Sequence, residues 1–98
     1  MTIHKTQENE SLTLALTGRL DTSTAPQLEA EIKALPDTVE HLTLELSGLE
    51  YLSSAGLRVI LAAQKKMTVQ GEMLVKNVGE TIMEVFDVTG FSNILTIV

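Results

Sequence analysis

The chain has no cysteine and no tryptophan, and it carries two prolines, one tyrosine and two phenylalanines in 98 residues. Without cysteine there can be no disulfide, thiol nucleophile or thiolate metal site, and the cytoplasm is the expected compartment. The longest unbroken apolar run, residues 59–63, is far short of the ~20 residues that a membrane-spanning helix requires. The opening stretch MTIHKTQENE is polar and does not read as a secretory signal. Positive charge is also scarce, with seven Lys and Arg against 13 Asp and Glu, for a formal net charge of −6. Nucleic acid is repelled by such a field, and 3% aromatic residues leave few rings for base stacking. The expected partners are therefore other proteins, with neither nucleic acid nor membrane insertion involved.

Catalytic signatures are missing as well. The serine turn reads SSAG rather than G-x-S-x-G, and no histidine follows the serines to act as a base. There is no G-x-x-x-x-G-K-[ST] loop or G-x-G-x-x-G fingerprint to cradle a nucleotide. His4 and His41 have no carboxylate or second histidine at ligand spacing, so both are expected on strand surfaces. No enzyme activity, cofactor or metal is expected.

What is present is an ordinary globular composition, 44% hydrophobic and 20% charged. That length corresponds to one domain, residues 1–98, able to bury roughly two-thirds of its unfolded surface. Residues 3–6 form a candidate first strand, and residues 7–10 a polar turn. Leu12, Leu14 and Leu16 then alternate with Thr13, Ala15 and Thr17, the mark of a half-buried strand closed by Gly18. The short turn makes the two strands an antiparallel hairpin. Thr24 and Gln27 have capping-box spacing, with Pro26 in the first turn of a helix. Its apolar face is Ala25, Leu28, Ile32 and Leu35, and Pro36 ends it. A strand at 42–46, a helix at 55–67, a strand at 73–76 and a third helix buried through Ile82, Val85 and Phe86 follow. Gly90 ends that helix, and residues 94–98 form a terminal strand or extended tail.

The order ββαβαβα(β) defines an α/β fold: a mixed sheet of four to five strands with helices packed mainly on one face. Right-handed crossovers place the carboxyl ends of the parallel strands on one edge, where open sheets bind their ligands. The loops at 18–24, 48–55 and 77–80 should meet there, making Asp21, Ser53, Ser54 and Asn77 neighbours. Glu50 and Tyr51 flank the serines on the same surface.

Residues 44–67 carry the most information, because a strand feeds a helix through two hydroxyls. A helix start presents unpaired N–H groups and a partial positive charge, which favour a phosphate or another anion. Ser54 reads both as a helix cap, worth ~1 kcal/mol, and as a phosphate acceptor; the two roles are compatible. Ser53 has the same two readings with less weight on phosphorylation. Asp21 reads as a turn or capping residue, or as a polar contact for a partner. Lys65 and Lys66 read as a solvated helix face.

Two segments carry a family resemblance: Thr17, Gly18, Arg19, Leu20 and Asp21 before the first helix, then Leu46, Ser47 and Gly48 through Tyr51, Leu52, Ser53, Ser54, Ala55, Gly56 and Leu57 before the second. In these, and over almost its whole length, the chain resembles a STAS domain of the bacterial anti-sigma factor antagonist family. The resemblance implies a partner that is both an anti-sigma factor and a serine kinase, and a phosphoserine phosphatase that reverses the modification. Family members commonly read Asp-Ser-(Ser/Thr)-Gly-Leu at the second segment. Alignment on Gly56 and Leu57 puts Ser54 at the acceptor, Ser53 at the acidic position and Ala55 at the second hydroxyl. Asp21 matches an aspartate associated with kinase recognition. Ser53 in place of aspartate removes a charge, which alters kinase recognition or lets Ser53 compete as acceptor. The same fold also implies an alternative: a constitutive interaction subunit of a transporter, a lipid-transport complex or a stress-signalling scaffold, with Ser54 only a cap.

Overall fold

A computed structural model describes residues 1–98. Leucines at every second position fold the chain around strands β1 (Thr2–Glu8), β2 (Ser11–Leu20), β3 (His41–Leu52), β4 (Glu72–Lys76) and β5 (Thr96–Ile97). Between them lie helices α1 (Ala25–Lys33), α2 (Ser54–Gln70) and α3 (Glu80–Thr89), with a short 3-10 turn at Phe91–Asn93. The strands make one sheet in the order β1-β2-β3-β4-β5. β1 is antiparallel to β2, and every other pair is parallel. This is the mixed sheet expected from the alternation.

One face of the sheet is apolar and dry. Leu12, Leu14, Leu16, Leu42, Leu44, Leu46, Met73 and Val75 are all buried on it, beneath helix residues that include Leu28, Ile60, Met67 and Phe86. The residues between them, Thr13, Ala15, Thr43, Glu45 and Leu74, stay partly exposed, so no helix covers the other face. The core comprises 24 buried hydrophobic residues, and no polar or charged residue is buried. Val85, expected in the buried stripe of α3, is only half-buried beside Ile82 and Phe86.

Several local expectations are corrected. Gly18 does not close β2. Its φ of 102° lets the strand kink and continue to Leu20, with ladder irregularities at Ala15/Thr17 and Gly18/Arg19. β3 likewise runs past Leu46 to Leu52, so the supposed loop at 48–55 shrinks to Ser53 between strand and helix. The period-2 pattern breaks after Leu46 because Gly48 lies against Thr17 and a bulge rephases the strand, bringing Leu49 and Leu52 inward.

The capping box at Thr24 does not form. Its hydroxyl donates to the Arg19 carbonyl at 2.8 Å and accepts the Asp21 N–H at 2.9 Å, while the Gln27 amide donates to the Met1 carbonyl at 3.3 Å. Nor is Lys66 a freely solvated cation. Its ammonium donates to the carbonyls of Ile32 at 3.0 Å and Leu35 at 3.2 Å, closing the C-terminal end of α1.

Gly56 is where α2 meets the sheet ends. A Cβ there would lie 2.6 Å from Leu20 Cγ and 2.7 Å from Leu52 Cδ1, and both leucines are buried. Gly56→Ala gains up to ~1 kcal/mol of helix propensity but overpacks the core by ~1–3 kcal/mol. The melting temperature should therefore fall by roughly 5–10 °C, as read by circular dichroism. A melting point at or above wild type would show that the leucines yield without cost.

Candidate functional site

Leu20 pairs with Leu52 at the carboxyl ends of β2 and β3, so the two segments that follow start side by side. The Ser53 N–H donates to the Leu20 carbonyl at 3.0 Å, and the Ser53 carbonyl accepts the Leu57 N–H at 3.0 Å. Ser53, in extended conformation, therefore occupies the N-cap position of α2. Its hydroxyl oxygen is buried, without a hydrogen-bond partner. Ser54 is the first helical residue and is exposed. This corrects the cap reading of Ser54: because β3 runs unbroken to Leu52, the cap position falls one residue earlier. The two hydroxyls are thus opposites, one enclosed and one open.

Asp21 begins the turn into α1. Its Oδ1 accepts the Ser23 hydroxyl at 2.8 Å, the Ser23 N–H at 3.0 Å and the Thr24 N–H at 3.2 Å. The Ser23 hydroxyl holds this carboxyl below its usual value; partial desolvation opposes the shift, and the Thr24 and Ser23 N–H groups add to it. Arg19 ties this turn to β3. Its guanidinium lies 4.0 Å from the centre of the Tyr51 ring, and its Nε is 3.7 Å from Asp21 Oδ2. Tyr51 remains 40% exposed, and Glu50 beside it is exposed.

Asn77 is not part of this cluster. β4 ends opposite Glu45 while β3 continues to Leu52, seven residues on. At ~3.3 Å per residue that is roughly 20 Å of strand. Asn77 instead follows Lys76, the β4 partner of Glu45, whose carboxyl is held low mainly by the Ser47 N–H, with partial desolvation opposing and the Ser47 hydroxyl and the Asn77 side chain adding to the effect.

A groove of about 260 Å³ runs between α1 and α2 beside Ser54. Ala25, Pro26, Ala55 and Val59 give it an apolar lining, with Thr22 and Arg58 among its polar edges. Sequence reasoning did not single out the side chains of Arg19 and Arg58 at this corner. Arg19 reaches Tyr51 only through the β2–β3 register, whereas Arg58 is four residues after Ser54 and was legible once the helix start was known. No three His, Cys, Asp or Glu side chains converge on a metal position, and no helix is long and apolar enough to cross a membrane.

A family model described as "Mlab, STAS domain" matches residues 3–97. The chain belongs to the STAS domain family. BtrV of Bordetella bronchiseptica, described as an anti-sigma factor antagonist, is 40% identical over 88 residues, spanning 88% of this chain and 76% of that protein. The anti-sigma-B factor antagonist of Bacillus subtilis is 30% identical over 92 residues, spanning 93% of this chain and 84% of that protein. Among solved structures, an anti-sigma factor antagonist from Mycobacterium paratuberculosis superposes with a TM-score of 0.85 at 25% identity, over 98% of this chain and 83% of that one. The resemblance read from the two segments is thus confirmed at the level of family and fold.

The acidity of Asp21 in this STAS domain has a consequence for stability. Folding favours the carboxylate, so its contribution is complete above the usual value of 3.8 and is lost as pH falls through the lower folded-state value. Asp21→Asn should therefore reduce the drop in melting temperature between about pH 6 and about pH 3. An unchanged drop, measured by thermal denaturation across that range, would assign the acid sensitivity to Glu45 and the other carboxylates.

Proposed function

We propose that this chain is an anti-sigma factor antagonist that operates by partner switching. The unmodified form docks through the Asp21–Tyr51–Ser54 corner onto an anti-sigma factor that is also a serine kinase, freeing a sigma factor for transcription. The kinase then transfers the γ-phosphoryl group of ATP to Ser54. A bond forms between Ser54 Oγ and phosphorus as the bond to ADP breaks, and the hydroxyl proton leaves. A phosphoserine phosphatase hydrolyses the ester and restores the docking form.

The observation that carries this reading is the contrast between the serines: Ser54 is exposed at the first position of α2, whereas the Ser53 hydroxyl oxygen is buried. An incoming phosphoryl donor can reach the first and not the second. Similarity to two anti-sigma factor antagonists supports the partner class. Glu50, Tyr51, Asp21 and the half-exposed rim of Ser53 complete the surface around the acceptor.

Phosphorylation adds about −1.5 to −2 charge. At a helix N-terminus that charge is favourable, so the fold should persist. The switch acts at the interface, where a dianion loses water on docking and meets any like charge at a cost of several kcal/mol. An affinity loss of tenfold needs only ~1.4 kcal/mol.

The test is capture of partners by wild type, Ser54→Ala and Ser54→Glu, with mass spectrometry to map phosphate. Wild type and Ser54→Ala should retain a serine-kinase anti-sigma factor, Ser54→Glu should bind it roughly tenfold or more weakly, and phosphate should map to Ser54. Equal capture of an unrelated partner by all three, with neither serine phosphorylated, would make the chain a constitutive binding subunit.

A further inference from the structure

The proposed phosphate on Ser54 has one uncommitted cation within reach. Arg58 follows Ser54 by four positions on α2, and residues so spaced share a helix face with Cβ atoms about 5–6 Å apart. Helical side chains slope toward the N-terminus, so a long side chain at 58 lies over the turn that starts at Ser54. Arg58 is exposed and lines the α1–α2 groove together with Thr22 and Ala55.

The other charges of the corner, Glu50 apart, are already engaged. Arg19 pairs with Asp21 and stacks on Tyr51. Glu29, across the groove, pairs with Lys33 at 3.7 Å. The remaining ion pairs, Lys5–Glu31 and His41–Glu72, lie elsewhere. Glu50 is exposed without a cationic partner. Arg58 belongs to none of these pairs, although its groove carries the carboxylate of Glu29. A guanidinium in no hydrogen bond or ion pair can reorient at little cost, and its fork of N–H donors matches a phosphate with two parallel hydrogen bonds.

We propose that Arg58 is the internal counter-ion of phosphorylated Ser54, positioning the phosphate over the first turn of α2. This rests on the reading of Ser54 as the acceptor. In forming the pair, Arg58 moves its guanidinium onto the phosphate at the edge of the groove. The modified surface then differs from the unmodified one in shape as well as in charge, and a partner that seats beside Ser54 loses access to Arg58.

The test requires no kinase. Phosphoserine is installed at position 54 by genetic code expansion in the wild-type, Arg58→Ala and Arg58→Lys backgrounds, and its second ionisation is followed by phosphorus NMR against pH. All three keep the same helix N-terminus, so differences report the side chain at 58. The midpoint in Arg58→Ala should lie roughly half a pH unit above that of the Arg58 background, with Arg58→Lys between them. Coincident midpoints in three folded proteins, with folding checked by circular dichroism, would overturn the role of Arg58 and leave Ser54 phosphorylation standing. A shifted midpoint in a protein whose Ser54 no kinase modifies would support the contact while removing the proposed switch.

Discussion

Leu20 and Leu52 stand side by side at the ends of two parallel strands, and the corner that carries the candidate site depends on that register. It brings the Ser53 N–H to the Leu20 carbonyl and sets the first turn of α2 directly over both leucines. A side chain at 56 would hold the helix away from them, so glycine there is a packing requirement rather than a flexibility device. Arg19 is carried on the same strand end as Leu20, and its reach to Tyr51 follows from the same pairing. Two bulges, both in β3, are what let the longer strand deliver these residues to one place beside β2.

The corner is then divided by burial. One hydroxyl is enclosed where the chain leaves β3, and the next is open where α2 begins. The helix start contributes a positive end, and the family position that is usually acidic is held by neutral Ser53. A helix N-terminus favours an added anion locally although the chain as a whole carries a net charge of −6, a combination that suits the modification proposed for Ser54.

Strands and helices with a regular apolar period were legible in the sequence. Leu12 to Leu16, Leu42 to Leu46 and Ala25 to Leu35 show their faces directly, because one side of each element meets the core and the other meets water. The missed parts share a physical origin. Gly18 and Gly48 look like strand ends because glycine is a weak strand former, yet each sits at an irregularity that only the neighbouring strand makes sensible. Thr24 looks like a cap because its spacing fits, but Arg19 and Asp21 compete successfully for its hydroxyl. Of the predicted site residues, Asp21, Glu50, Tyr51, Ser53 and Ser54 do gather at one corner. Asn77 does not, because β4 ends opposite Glu45 while β3 runs on to Leu52.

The sequence by itself determined the class of fold, the polarity of each face, the family and the segment in which chemistry could occur, since these follow from residue type and local period. Tertiary structure alone decided which serine is open, which arginine is free and how far Asn77 lies from both. Those outcomes depend on pairing register and strand length, which are set by contacts between residues distant in the chain and leave no local signature in either segment.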